Sequence, residues 1–256
     1  MKKALPVIVV VLIGLLVGGG AVFGWKRLSQ PPKEEGEVSA PEQVLKELSL
    51  SERPYTSLTP GSSCEYTLVL QRIQGNPDKI EYEIVYKDEK GVTQGASGTI
   101  TPKGKTNAEK KVLFGTESSG HRRCDKGVEG GNIVLRYRNP EGKLTAKMET
   151  EFGVYENTRF IKLSSNFDLA LPSSVTLITT KYLSMGTIGL PGLSDEAPGR
   201  VVAGPYAVFP DGSLKRDATV DISGSGKLYG WDGSKWVELS DGKSSFLGTY
   251  ILVASE

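Results

Sequence analysis

The chain has 256 residues, room for one large or two small domains, and its 31 Lys and Arg nearly balance 30 Asp and Glu. No global field therefore favours nucleic acid or an acidic partner. With 31 Gly against two Cys, three Met and one His, the composition is β-rich and turn-rich, and it holds few side chains of the kind that metal or acid–base chemistry recruits.

Lys2 and Lys3 precede an uncharged run over residues 4–25, ALPVIVVVLIGLLVGGGAVFGW. About 20 apolar residues cross the ~30 Å hydrocarbon core as a helix, whereas a cleaved signal peptide has a shorter apolar region of about 7–15 residues. Residues 1–27 are therefore read as an uncleaved transmembrane anchor; cleavage after Gly24 would instead leave the body secreted. Pro6 falls near the start, where a helix tolerates it. Lys2 and Lys3 on one flank and Lys26 and Arg27 on the other nearly balance the positive-inside rule. The β-rich body favours a cytoplasmic N-terminus with the C-terminal body outside. Gly14 with Gly18, and Gly20 with Gly24, each make a G-x-x-x-G, a spacing that lets two helices approach closely. A homodimer through this glycine-rich anchor is one expectation, and an ordinary lipid-facing helix the other.

Residues 28–52 read as a linker. QPPKEEGEVSA is polar, charged and carries a double proline, as a stalk does. Ser39 then stands three residues before Glu42, the capping-box spacing, with Pro41 early in the turn, so a short helix is expected over residues 39–48. Val44, Leu45 and Leu48 give it one apolar stripe; so short a helix needs a body to pack on.

From Arg53 the hydrophobic period becomes two. KIEYEIVY puts Ile80, Tyr82, Ile84 and Tyr86 on one face, EYTLVLQRI does the same with Tyr66, Leu68 and Leu70, and NIVLRYR with Ile133, Leu135 and Tyr137. Turn signals separate them at Gly75, Asp88 and Asn139. Seven or eight strands are expected up to Phe152, the inventory of an immunoglobulin-like sandwich over residues 53–157. In a second block, residues 158–256, SVTLITTKYL reads as a strand, LPGLSDEAPG as a loop, and short strands follow to TYILVA. The expected fold class is all-β: two tandem β-sandwich domains behind an N-terminal transmembrane helix.

The stretches GPYAVFPDGSLKRDATVDI, KLYGWDGSKWVEL and FLGTYILVA, over residues 204–254, resemble the C-terminal part of ZU-five-type domains. Pro210, Gly212 and Leu214 match that family's turn, Val220 and Ile222 its next strand, Trp231, Asp232, Gly233 and Trp236 its hairpin, and Tyr250 its last strand. Gly248 departs from the pattern, which has serine there. The resemblance implies a β-sandwich interaction module and carries no catalytic residue. RPYTSLTP and GTESSG…DKGVEGG in the first block resemble uncharacterised membrane-anchored bacterial surface β-domains.

The lone histidine lies in FGTESSGHRRCDKGVEGG, beside Cys124. Zinc needs three or four ligands, typically Cys and His, and the chain has three such residues in total. A cysteine or serine nucleophile would need His121 as its base, yet His121 and Cys124 share one short loop. Two cysteines inside one β-domain of an exported chain point instead to a Cys64–Cys124 disulfide. His121, Arg122 and Arg123 form a small cationic patch, either solvated surface or a contact for an anion or acidic glycan. In LYGWDGSKWVEL, a two-residue turn at Asp232-Gly233 or Gly233-Ser234 puts Tyr229, Trp231 and Trp236 on one face and Leu228, Val237 and Leu239 on the other. Three outward aromatics would suit a protein or glycan partner, or would staple the hairpin and cover a neighbouring loop. A three-residue turn with a bulge would send Trp236 alone to the other side. SGSGK is no P-loop, since Asp221 occupies the position of the required glycine and Leu228 that of the Ser/Thr.

The expected role is binding or presentation at the cell envelope without catalysis, cofactor, metal or nucleic acid. An envelope glycan-processing enzyme or subunit is the rival, and would require two carboxylates facing one cleft. A purely structural spacer is the third alternative.

Overall fold

The computed structural model describes residue 45 and residues 47–175, 180–192 and 197–255. In chain order the strands are β1 (Tyr55–Pro60), β2 (Glu65–Gln71), β3 (Lys79–Lys87), β4 (Thr93–Ile100), β5 (Ala108–Leu113), β6 (Gly115–Ser118), β7 (His121–Cys124), β8 (Gly130–Arg138), β9 (Leu144–Glu156), β10 (Phe160–Leu163), β11 (Phe167–Ala170), β12 (Lys181–Gly186), β13 (Val201–Pro210), β14 (Ala218–Ile222), β15 (Lys227–Trp231), β16 (Trp236–Glu238), β17 (Lys243–Ser244) and β18 (Thr249–Val253). Among the described residues the protein is all-β, broken only by a 3-10 turn at Ser240–Gly242. No helix among them is long and apolar enough to cross a membrane. The anchor over residues 1–27 lies outside the described residues. So does most of the helix expected over residues 39–48, of which Leu45, Glu47 and Leu48 belong to no regular element.

One sheet organises the rest. Nine strands run in the order β16-β15-β18-β13-β12-β9-β8-β3-β4, beside a three-stranded sheet β1-β2-β5, a four-stranded sheet β10-β11-β14-β17 and the hairpin β6-β7. The long sheet crosses the expected boundary at residues 157 and 158, because β9 pairs with β12 through Phe152↔Met185 and Tyr155↔Tyr182. Residues 45–256 form one compact unit.

Side-chain parity shows how the smaller sheets cover it. Leu183 and Met185 of β12 and Ala207 and Phe209 of β13 join a core with Leu58, Leu68, Leu70, Ile80, Ile84, Ile133 and Leu135. Tyr182 and Val208, one step along the same strands, join a second core with Ile161, Phe167, Leu169, Val220 and Tyr250. Successive side chains point to opposite faces, so the three-stranded sheet lies on one face of the long sheet and the four-stranded sheet on the other. Strands covered twice lose their alternation: Tyr182 to Met185 in β12 and all five residues of β18 are buried. Leu68, Ile80, Ile84, Ile133 and Leu135 have no exposed surface, each contributing roughly 1.5–3 kcal/mol relative to exposure.

The strands expected from period two are present, with their predicted faces buried. Two local expectations change. Of the strand expected over SVTLITTKYL, β12 takes Lys181, Tyr182 and Leu183, residues 176–179 lie outside the described residues, and Val175 lies in a turn, its N–H donating to the Pro172 carbonyl at 3.0 Å. The segment around His121, expected as a loop, is the β6-β7 hairpin. Its two turn residues, Ser119 and Gly120, both have positive φ (51° and 78°), the backbone of a primed hairpin turn.

Candidate functional site

Cys64, just before β2, and Cys124, the last residue of β7, are joined by a disulfide with their Cα atoms 5.6 Å apart. The junction is also hydrogen-bonded: Phe114 N–H donates to the Cys64 carbonyl at 2.9 Å, and Asp125 N–H to the Phe114 carbonyl at 3.0 Å. Phe114 is sandwiched between Tyr66 and Tyr86, with ring centroids 4.1 and 4.3 Å away. The buried Tyr86 hydroxyl donates to Asp125 Oδ2 at 3.0 Å. Burial, and then the Asp125 carboxylate, push the Tyr86 phenol well above its usual range. A covalent bond, hydrogen bonds and an aromatic stack thus fasten the hairpin base to the first core. The sequence flagged only the first, since no local spacing brings Tyr66, Tyr86 and Phe114 together.

The cationic patch on this hairpin is partly spoken for. Arg122 Nε lies 2.7 Å from Glu117 Oε2, and its Nη1 lies 3.4 Å from Glu65 Oε2. Glu65 is also 2.9 Å from Lys111, and Lys111, then Arg122, hold its carboxyl below the usual range. Arg122 therefore ties β7 to β6 and β2, while His121 and Arg123 stand exposed on the outside.

The second candidate, β15-β16, has the expected parity. Trp231 pairs with Trp236 and Gly230 with Val237, so Gly233 and Ser234 form the two-residue turn. Asp232 Oδ1 accepts from the Ser234 and Lys235 amides at 2.8 and 2.9 Å; these bonds, Lys235 first, hold its carboxyl below the usual range. Leu228, Val237 and Leu239 face the second core. The aromatic face is half-buried rather than bare: Tyr229 and Trp236 pack on Leu190, Ile251 and Val253. Trp231 meets Trp236 edge-on at 5.5 Å, and Tyr229 donates to Glu238 Oε2 at 3.0 Å. Beside Tyr229 an open depression of about 730 Å³ is lined by Gly199, Arg200, Lys227, Tyr229, Val253 and Ser255. Two cations and a phenol there can hold a polar or anionic ligand, although Lys227 already lies 3.3 Å from Glu238.

Two cationic side chains that the sequence did not single out join the blocks. Arg72 donates to the carbonyls of Leu190 (2.7 Å) and Gly192 (2.9 Å) through Nη1 and of Ser51 (3.0 Å) through Nη2. Lys181 reaches Glu156 at 3.1 Å and the Ser63 carbonyl at 3.3 Å, with its ammonium 5.8 Å from the Tyr66 ring centre. Among the described residues no three His, Cys, Asp or Glu side chains are grouped to hold a metal ion. No protein-family model, curated protein or solved structure matches this chain.

Proposed function

We propose that this chain is a membrane-anchored, extracytoplasmic binding or scaffold protein of the cell envelope and not an enzyme. In this reading its two blocks are an immunoglobulin-like and a ZU-five-like sandwich that share the long sheet. The observation that carries the proposal is the Cys64–Cys124 disulfide. Such bonds form and persist in oxidising compartments outside the cytosol, and the bond lies downstream of an apolar run long enough to span a bilayer. Binding would be served by the aromatic hairpin with its adjoining depression, and by the exposed His121 and Arg123, for a protein or glycan partner.

Thiol alkylation with and without reductant, on protein taken from its native membrane, tests this reading. Two protected sulfurs, together with cleavage of the body by protease added to intact cells, are the expected outcome. Two free thiols and a protected body would place the body in the cytosol and overturn the proposal.

A further inference from the structure

Every sheet in the body has two edges, and a strand edge presents unpaired N–H and C=O groups that invite another chain. Most edges here carry a recognisable guard. β16 is three residues long and follows Lys235. β5 carries Lys110 and Lys111. β10 and β17 have four and two residues. β1 is covered on its free side, where Thr56 N–H donates to the Thr187 carbonyl and Tyr55 bridges to Ile188.

β4 differs from all of these. Its eight residues, TQGASGTI, contain neither charge nor proline, and it pairs with β3 from Ile80↔Ile100 to Lys87↔Thr93 without a bulge. It ends the sheet, and Thr93, Gly95, Ser97 and Thr99 are exposed. Its glycines do not loosen it: the Tyr82 ring lies where a Cβ on Gly98 would stand, 2.5 Å from the hydroxyl oxygen, so an aromatic neighbour fills the gap in the pleat. The result is a long, bulge-free, uncharged edge.

We propose that β4 pairs antiparallel with β4 of a second copy of this chain, joining two long sheets into one. Hydrogen-bonded and non-hydrogen-bonded pairs alternate along an antiparallel ladder, so a two-fold axis normal to the sheet has to pass through a pair, and one residue faces its own copy. Near the strand centre that residue is Ala96 or Ser97. With Ala96 on the axis, Thr93 meets Thr99 and Gly95 meets Ser97; with Ser97 on it, Gly95 meets Thr99 and Ala96 meets Gly98. All of these pairs are uncharged, and Thr–Thr pairs add cross-strand contact. The nearest charged row, Glu81 and Glu83 of β3, would be three strand spacings, about 14 Å, from its copy, beyond the ~10 Å screening length at 0.1 M salt. Their carboxylates are also already matched by Arg138 and Arg136, at 2.6 and 2.8 Å. One added strand is a small interface. It suffices if the anchor confines copies to one surface and so raises their effective concentration, a step that rests on the proposed membrane attachment.

The test places single cysteines at Gln94, Ala96, Ser97 and Thr99 in the full chain in its native membrane, followed by a short bismaleimide. The two native cysteines are bonded to each other, so each variant offers one reactive thiol. Dimer yield is expected to peak at Ala96→Cys or Ser97→Cys, about tenfold above Lys105→Cys on the following loop, as tethered rather than random encounter requires. Adding Ser97→Lys to the Ala96→Cys chain sets a charge in the seam twice and lowers the yield by up to about fivefold. A flat profile overturns the pairing. So does a photoreactive label at Ser97→Cys that yields a product of any mass other than twice the chain's, since another protein then holds the edge. Reaction of the parent chain with the bismaleimide would show open native cysteines and count against the export reading alone; an unreactive parent with no peak in β4 counts against the pairing alone.

Discussion

Removing the disulfide through Cys64→Ala with Cys124→Ala isolates the covalent part of the hairpin attachment. The bond closes a separation of 60 residues, and the chain-entropy relation for a loop of that size gives about 14 cal/mol/K, or about 4 kcal/mol at 25 °C. The native fold retains its other fasteners. Phe114 stays hydrogen-bonded to Cys64 and Asp125 through the backbone and stacked between Tyr66 and Tyr86. The loss therefore falls on the unfolded chain, which gains freedom, rather than on native contacts. Urea titration followed by far-UV circular dichroism should show the midpoint falling by about 1.3–2 M for a slope of about 2–3 kcal/mol/M, with an unchanged native spectrum. Reduction of the wild-type chain should reproduce the variant. A loss below about 1 kcal/mol would refute the argument, because it would mean that the reduced unfolded chain already holds the two ends together.

Three further outcomes follow from single contacts. Arg72→Ala should cost about 2–3 kcal/mol in thermal or urea unfolding, as three carbonyls of Ser51, Leu190 and Gly192 lose a charged donor; Arg72→Lys should recover only part of this, since one ammonium cannot replace the fork. Burial raises the phenols of Tyr66, Tyr86 and Tyr137 above their ordinary value of 10.0. The neutral form is thus favoured in the fold, so stability is intact below pH 10 and is lost as pH rises from there through the folded values, by up to about 1.4 kcal/mol per pH unit for each ring. The Tyr137 hydroxyl is buried with no partner among the described residues. Urea midpoints should therefore show Tyr137→Phe neutral or stabilising by up to about 1 kcal/mol at pH 7, with a shallower decline above pH 10. Gly131→Ala would set a Cβ 2.0 Å from the Val85 carbonyl oxygen, whereas Gly212 has nothing within 4 Å; calorimetry should show the first costing at least about 1–3 kcal/mol and Gly212→Ala within about 0.5 kcal/mol of wild type.

What could be read from the sequence depended on how many faces each strand buries. β2 and β3 bury one, so Tyr66, Leu68 and Leu70, or Ile80, Ile84 and Tyr86, stand out by alternation. β12 and β18 bury two, and a run such as YILV holds no record of which residue faces which core. VTLI looks as apolar as YLSM, and it is the pairing of Lys181 with Glu156 and of Tyr182 with Tyr155 that marks β12 on the ladder. That pairing is also what carries one sheet through both blocks, and it joins residues too distant for any local period to register. The site divides in the same way. The hairpin parity of Tyr229, Trp231 and Trp236 follows from turn length alone. The cover of Tyr229 and Trp236 does not, because Leu190, Ile251 and Val253 arrive from other parts of the chain. β4 is the reverse case. Its polar alternation made it unremarkable as sequence, and it becomes informative only once the other edges are seen to be short, charged or covered. A strand that is long, bulge-free and uncharged at the end of a nine-stranded sheet leaves half its backbone hydrogen-bonding groups to water or to a partner, and the guards on the other edges show that this sequence has the means to block an edge where blocking is needed.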